Sequence, residues 1–369
     1  MMPVSPASRQ HFLVFRDKLL LPSEGFIKTH YHAFDQLRPV YVANRFGWRC
    51  DELDGPMIST AGTRAGQFLF KQTGMTDLAK FAAYQPVAIH AHFGRGGALA
   101  LPLAQRLGLP LYVTFHGGDA TKKTHQRQRL VPTIYQRRLA ALKTHARGFL
   151  CVSDFVAGRL HDQGFPQDKL ITHYIGIDCG TLEAPRQRNG RLLFAGRLTG
   201  KKGVDILLGA LRHLQKGGLP VPELDIAGSG PEETALRSAA RGLDTVRFLG
   251  WQTPDQLARL MHEALAVVVP SRQAEDGDCE GLPTVVLEAI RAAAPVLATR
   301  HAGIPEIIED GVTGYLAPEN DVIALAEMLQ RAGKQTETLP DLVTNAQKRL
   351  KQNFDATIQS RRLQDILRS

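Results

Sequence analysis

The sequence predicts an α/β protein built from two doubly wound, Rossmann-like domains facing across a cleft. Three observations carry that expectation. Short apolar, partly β-branched runs alternate with amphipathic helical stretches. The alternation stops at a polar segment near residue 180 and then begins again. The length, 369 residues, is more than one core usually serves.

In the first half, HFLVF (11–15), VAIHAHF (87–93) and LPLYVTF (109–115) read as buried parallel strands. Between the last two, GALALPLAQRLG (97–108) reads as an amphipathic helix ending at Gly108, which completes a βαβ unit. GFLCVS (148–153) is a further strand, with a helix from Asp154 to Gln163, and ITHYIGID (171–178) closes the half. The first domain is therefore expected over 1–178, with 179–190 as a linker. In the second domain, 191–350, the expected order is strand RLLFAG, helix VDILLGALRHLQKG, strand PELDIAG, helix PEETALRSAAR and strand VRFLG. It continues with helix PDQLARLMHEA, strand LAVVVP, helix GLPTVVLEAIRAA, strands APVLATR and TGYLAP, and helix DVIALAEMLQRAG. The final segment, 354–369, is expected as a helix that returns to the first domain.

Composition narrows the function classes. Hydrophobic residues are 43% and charged residues 22%, ordinary globular values. Four cysteines, Cys50, Cys151, Cys179 and Cys279, form no C-x-x-C pair, which speaks for reduced thiols and against a zinc module. The opening MMPVSPASRQHF lacks the regions of a signal peptide, and no apolar run reaches spanning length. A cytoplasmic protein is expected. The net charge of +9 belongs wholly to the first half, where residues 1–185 hold 22 Lys+Arg against 13 Asp+Glu. Eight of these cations (Lys122, Lys123, Arg127, Arg129, Arg137, Arg138, Lys143 and Arg147) crowd positions 120–153, which contain no acid. Such a stretch attracts phosphates, whether of lipid head groups or of nucleic acid, and competes with the plainer reading of a solvated basic helix face.

Three constellations carry chemistry. In Glu280-Gly-Leu-Pro-Thr-Val-Val-Leu-Glu288, Pro283 is placed to open a helix whose first amides, around Gly281, Leu282 and Thr284, suit a diphosphate. Glu280 precedes that helix and Glu288 lies more than a turn inside it, so the two carboxylates can reach different hydroxyls of one extended ligand. Taken alone, Glu288 could equally be a solvent-facing helical glutamate. In Ala195-Gly-Arg-Leu-Thr-Gly-Lys-Lys-Gly203, a strand ends at Gly196 and presents Arg197 and Lys202 at its carboxyl end, where cations can stabilise a departing diphosphate. In Val113-Thr-Phe-His-Gly-Gly-Asp119, His116 follows a strand and faces the cleft, placed to hydrogen-bond a reacting sugar. His90-Ala-His92 and His30-Tyr-His32 have alternating histidines but no thiolate or carboxylate partner in reach, and a metal is not expected. Gly228-Ser-Gly230 runs on into acids, so it reads as a turn lining a nucleotide site, not as a dinucleotide fingerprint.

Together and in register, GRLTGKKG, LDIAGSGPEE, VRFLG, VVVPS, the Glu280 and Glu288 pair, HAGIPEII and DGVTGYL resemble the family 4 (group 1) retaining glycosyltransferases of GT-B fold. The likeness covers about residues 87–333 and is strongest over 191–316. The loop AEDGDCEGLP is similar to that of enzymes building bacterial exopolysaccharide, capsule or O-antigen. The resemblance implies catalytic roles for His116, Glu280, Arg197 and Lys202. It implies donor binding by Gly196, Arg197, Lys202, Phe248 (near the base), Gly281, Leu282, Pro283, Thr284 and Glu288 (at the ribose). Glu24, Lys28 and Asp119 would lie on the acceptor side, by analogy. The Gly-Gly loop that many members carry after the first strand is missing, and Gly25 is the one glycine there.

The implied function is metal-independent transfer, with no cofactor, from a UDP- or GDP-type nucleotide sugar. The acceptor would be a polyprenyl-diphosphate-linked saccharide, reached with the enzyme peripheral on the inner face of the cytoplasmic membrane through the basic stretch. Three rivals stand beside this reading: a catalytically inactive GT-B scaffold, against which the retained cations and carboxylates argue, and two more. One is a GT-B sugar-nucleotide epimerase. The other is a non-enzymatic basic protein binding nucleic acid or membrane; the cleft motifs of the neutral half would be superfluous in it, so no nucleic-acid partner is expected.

Overall fold

The computed structural model describes residues 10–19, 26–47, 50–122, 131–180, 182, 184 and 188–369. The chain divides into two compact units, residues 1–178 with 356–369, and residues 179–355.

The first unit holds a parallel sheet. Its strands are β1 Gln10–Leu19, β2 Leu37–Phe46, β3 Met57–Ser59, β4 Ile89–His92, β5 Leu111–Phe115, β6 Gly148–Cys151 and β7 Leu170–Thr172. They stand in the order β3-β2-β1-β4-β5-β6-β7. The order reverses between β1 and β4, so the carboxyl ends of those strands are where such a sheet opens to ligands. Side chains alternate between two apolar faces. Leu13, Phe15, Ile89, Ala91, Val113 and Phe149 pack under the helix Gly94–Leu107. Phe12, Val14, Tyr112 and Leu150 pack on the other side with Leu363 and Leu367 of the helix Ala356–Arg368. Burial on both faces is why these strands read as unbroken apolar runs.

That terminal helix is also tied by hydrogen bonds. Oε1 of Gln364 accepts the amide N–H groups of Asp35, Gln36 and Leu37, at 3.0, 2.8 and 3.1 Å. The Ser360 hydroxyl accepts that of Ala33. The structure adds β2 and β3, which the sequence reading passed over. It also starts the helix after β4 at Gly94, ahead of the expected residue 97, while Gly108 ends it in the left-handed conformation as anticipated (φ 66°).

The second sheet is also parallel. Its strands are β8 Leu192–Ala195, β9 Leu224–Ala227, β10 Val246–Gly250, β11 Ala266–Val269, β12 Val296–Thr299 and β13 Tyr315–Ala317, in the order β10-β9-β8-β11-β12-β13. Here the reversal falls between β8 and β11. The helix after β11 is Thr284–Arg291, and Pro283 is the residue before it. This corrects the expectation that Pro283 is the first helical residue. Its ψ of 116° keeps it extended, so the first helical amide is that of Thr284.

All four cysteine side chains are buried, and among the described residues no disulfide forms. Among those residues, too, no helix is long and apolar enough to cross a membrane.

Candidate active site

In the second unit the loop after β8 and the loop after β11 meet at the switch point. Close backbone packing fixes the first of them. Gly203, at φ 67°, has no room for a side chain, because a Cβ there would collide with the Pro270 carbonyl just past β11. A Cβ on Gly228 (φ 141°) would strike the Gly196 carbonyl, so the turn after β9 presses on the same loop. Arg272 then clamps it from the β11 side. Its amide donates to the Lys201 carbonyl at 2.9 Å, and its guanidinium donates to the Gly200 carbonyl at 2.9 Å and to Asp205 at 2.8 Å.

This scaffold brings cations and a carboxylate together. Lys202 Nζ lies 3.0 Å from Glu280 Oε1, with the side chains only 17% and 13% exposed, so solvent screens the pair little. Lys201, which sequence reasoning passed over in favour of its neighbour, also reaches in. Its Nζ is 3.6 Å from the same oxygen and 3.5 Å from Asp278 Oδ1. Burial pushes the Glu280 carboxyl up, but Lys202 and Lys201 outweigh it and hold the group below its ordinary value. Burial likewise pulls Lys201 down, and Glu280 with Asp278 more than restores it. The site therefore holds a fixed, charged cluster at neutral pH.

Glu288 is not the solvent-facing glutamate of the plainer reading. It is half-buried, and burial raises its carboxyl above the ordinary value despite a hydrogen bond with Thr284 and the field of Lys202. Gly281, Leu282 and Pro283 are buried in the turn joining the two glutamates.

Two further residues hold Glu280, and no local spacing announced them. Nε2 of the buried His301 takes the Glu280 amide N–H at 3.1 Å. An amide can only donate, so that nitrogen carries a lone pair and the ring proton sits on Nδ1. Nδ1–H donates to Glu319 Oε1 at 2.7 Å, and the other Glu319 oxygen accepts the Gln273 amide at 2.9 Å. Burial raises Glu319, but these two bonds bring it below its ordinary value. Gly303 N–H donates to the Gly281 carbonyl at 2.9 Å, which adds a second strap from the same segment. The HAGIPEII motif, noted for its likeness alone, thus positions the loop that carries Glu280.

Arg197 is exposed, and among the described residues no ion pair engages it. Gly196, at φ 155°, packs near the aliphatic part of Lys202. Phe248 lies on the edge strand β10, with the Arg237 guanidinium 4.5 Å over its ring. The structure thus brings together Lys202, Glu280 and the turn leading to Glu288. Phe248 stands two strands from β8.

In the first unit, His116 follows β5 and is partly buried against Phe93 and His92. Asp119, expected on the acceptor side, has a positioning task. Its carboxylate accepts the amides of His116, Gly117 and Gly94 at 2.9, 3.1 and 3.0 Å, joining the loop after β5 to the helix after β4. Lys28 pairs with Glu52 at 3.4 Å near the surface. Glu24, Lys123, Arg127 and Arg129 lie outside the described residues. Of the rest of the basic stretch, Arg138 donates to the Ala98 and Gln72 carbonyls, Lys143 to that of Gln163 and Arg147 to that of Ser369. Both ring nitrogens of His90 are engaged, by Tyr31 and Thr114. Among the described residues no group of three or more His, Cys, Asp or Glu is placed to hold a metal ion.

Comparison with known proteins adds the following. The description "Glycosyl transferases group 1" matches residues 183–349, and "Glycosyltransferase Family 4" matches residues 61–181. The putative colanic acid biosynthesis glycosyltransferase WcaL of Salmonella typhimurium is 31% identical over 291 residues, 76% of this chain and 70% of that protein. The amylovoran biosynthesis glycosyltransferase AmsK of Erwinia amylovora is 32% identical over 288 residues, 75% of this chain and 68% of that protein. The crystal structure of Anabaena Alr3699/HepE in complex with UDP shares the fold with a TM-score of 0.78. It covers 97% of this chain and 99% of that one at 19% identity.

Proposed function

Because the chain belongs to the group 1 glycosyltransferases and has the GT-B fold, we propose that its donor is a nucleoside-diphosphate sugar of UDP or GDP type. We propose further that it adds that sugar, with retained anomeric configuration, to a saccharide growing into a bacterial exopolysaccharide. The names of WcaL and AmsK support the exopolysaccharide setting.

The observation that carries the donor assignment is the Lys202–Glu280 pair set at the switch point, directly before the helix Thr284–Arg291. A diphosphate placed there meets Lys202, Lys201 and Arg197 as cations. The Glu280 carboxylate, drawn partly off Lys202, accepts hydrogen bonds from sugar hydroxyls, and Glu288 does the same at the ribose. In the transfer, the bond from the anomeric carbon to the diphosphate oxygen breaks and a bond to the acceptor oxygen forms on the same face. The acceptor proton passes to the departing phosphate oxygen. The cations stabilise charge as it develops, which needs no metal. His116 is kept as a hydrogen-bonding partner of the reacting sugar. The acceptor in this reading is lipid-linked through a polyprenyl diphosphate, with the protein peripheral on an anionic membrane face.

A thermal-shift screen against UDP, GDP, ADP and their common sugars tests the donor assignment, because a ligand of the folded state raises the midpoint by mass action. One nucleotide family is expected to stabilise the wild type and to lose most of its effect in Glu280→Ala. No shift with any of them sinks the reading. Retention is checked by the anomeric coupling of the product, and membrane docking by flotation with phosphatidylglycerol vesicles at low and high salt.

A further inference from the structure

The first unit contains five histidines in one cluster, His30, His90, His92, His116 and His173, with adjacent rings 4.6 to 6.4 Å apart where they stack or tilt. Four are fully buried; His116 alone is partly open. A continuous line of short contacts joins three of them through Tyr31. Thr114 Oγ1 lies 2.6 Å from His90 Nε2, and His90 Nδ1 is 2.8 Å from the Tyr31 hydroxyl. That hydroxyl is 2.7 Å from His92 Nε2, and His92 Nδ1 is 3.2 Å from His116 Nε2.

Burial keeps these imidazoles neutral at pH 7, with the neighbouring histidines acting in the same sense, and keeps the Tyr31 phenol protonated. A neutral imidazole has one N–H and one lone pair, and a phenol has one proton to give. All four bonds form, with every proton used along the line, when each group passes a hydrogen bond in the same direction. The one other complete set has both imidazoles donating to the Tyr31 oxygen, which turns the buried phenol proton away from the line. In one direction Thr114 donates to His90, His90 to Tyr31, Tyr31 to His92 and His92 to His116, which leaves the His116 proton on Nδ1. In the other, every bond reverses and His116 carries its proton on Nε2. Any other mixture sets two protons or two lone pairs face to face in a buried place and loses a bond there.

We infer that Tyr31 is a positioning residue, whose hydroxyl couples His90 to His92 and thereby ties the tautomer of His116 to theirs. Its consequence for transfer rests on the role given to His116 above, because an imidazole offers a sugar hydroxyl either a donor or an acceptor and the tautomer decides which. Tyr31 has no need to touch substrate to act in this way.

The test uses the full chain labelled with 15N-histidine, its resonances assigned by single His→Asn variants. In the wild type, His90, His92 and His116 are expected to share one ratio of Nδ1–H to Nε2–H tautomers, because the line reverses as a whole. Tyr31→Phe keeps the ring and removes the relay, and is expected to let His90 depart from the ratio kept by His92 and His116. Thr114→Val, at the far end, is expected to shift the ratio at all three rings together. With the donor selected by the nucleotide screen, Tyr31→Phe is expected to lower kcat about tenfold and leave the donor KM within twofold. Wild-type rings with unrelated tautomer ratios, or a folded Tyr31→Phe protein with tautomers unchanged, overturns the inference. Uncoupled tautomers in Tyr31→Phe with unchanged kcat uphold the relay and remove His116 from the reaction.

Discussion

The amide of Glu280 donates to Nε2 of His301 at 3.1 Å, and the direction of that bond is fixed by its chemistry. A side chain 21 positions downstream thus holds the carboxylate that faces the two lysines. The arrangement resembles the support given to ligating histidines at metal centres, with Glu319 orienting the ring.

Removing this support loosens the loop without touching the cations. His301→Ala leaves the buried Glu280 amide without its acceptor, at a cost of about 1–3 kcal/mol. Glu319→Gln is milder, because an amide oxygen can replace one of the two carboxylate acceptors. Hydrogen exchange across residues 273–281 is expected to rise in both, more in His301→Ala, with the donor KM rising in the same order. Unchanged exchange in His301→Ala removes the supporting role.

Loss of Lys202 acts on the chemical step. Lys202→Ala is expected to lower turnover about 100-fold or more at saturating donor, the scale of deleting a preorganised charge donor. Lys201 still neutralises Glu280, so the unfolding midpoint moves less than in Lys201→Ala/Lys202→Ala. Wild-type turnover in the single variant contradicts the assignment.

Gly203→Ala tests the backbone packing under the same loop. The left-handed φ and the collision with the Pro270 carbonyl together are expected to cost at least about 2 kcal/mol. Urea unfolding reads this loss, and a wild-type midpoint would mean the two loops separate freely.

Acid is expected to unfold the first unit before the second. Burial depresses the five clustered histidines, His30 to about 3 and His173 to about 4, from an ordinary 6.5. The unfolded chain then binds more protons than the folded one from 6.5 downward, so stability is complete above 6.5 and falls as pH falls below it. In the second unit, Glu280 and Glu319 lie below their ordinary 4.5, so their contribution is complete above 4.5 and is lost only below it. Glu288, raised, acts in the opposite sense as pH falls towards 4.5. Hydrogen exchange between pH 7 and 5 should therefore rise first in peptides from β4 and β5.

Much of the fold could be read from the sequence, for a physical reason. The strands β8, β11, β12 and β13 of the second unit are short, largely apolar runs buried throughout, because both faces of a parallel sheet are covered. The strand β2, LRPVYVANRF, was missed because Arg38, Pro39, Asn44 and Arg45 interrupt its pattern. Asn44 is buried but satisfied by donating to Asp17, something only the neighbouring strand reveals. At the site, residue types at strand ends identified Lys202 and Glu280. Spacing had no means to separate Lys201 from Lys202, since both turn inward, nor to connect His301 and Glu319 with a loop so distant in sequence. Tyr31 was likewise hidden, because its partners His90 and His92 both lie on β4, far along the chain.

The bonds from Gln364 to the amides of Asp35, Gln36 and Leu37 impose an order on synthesis. Everything in the second unit has left the ribosome once residue 355 emerges, whereas the first unit still lacks the helix that satisfies those amides and covers Tyr112 and Leu150. The half translated first is the half completed last. Until residues 356–369 arrive, one face of its sheet stays uncovered, and a chaperone that holds nascent chains would find its apolar surface there.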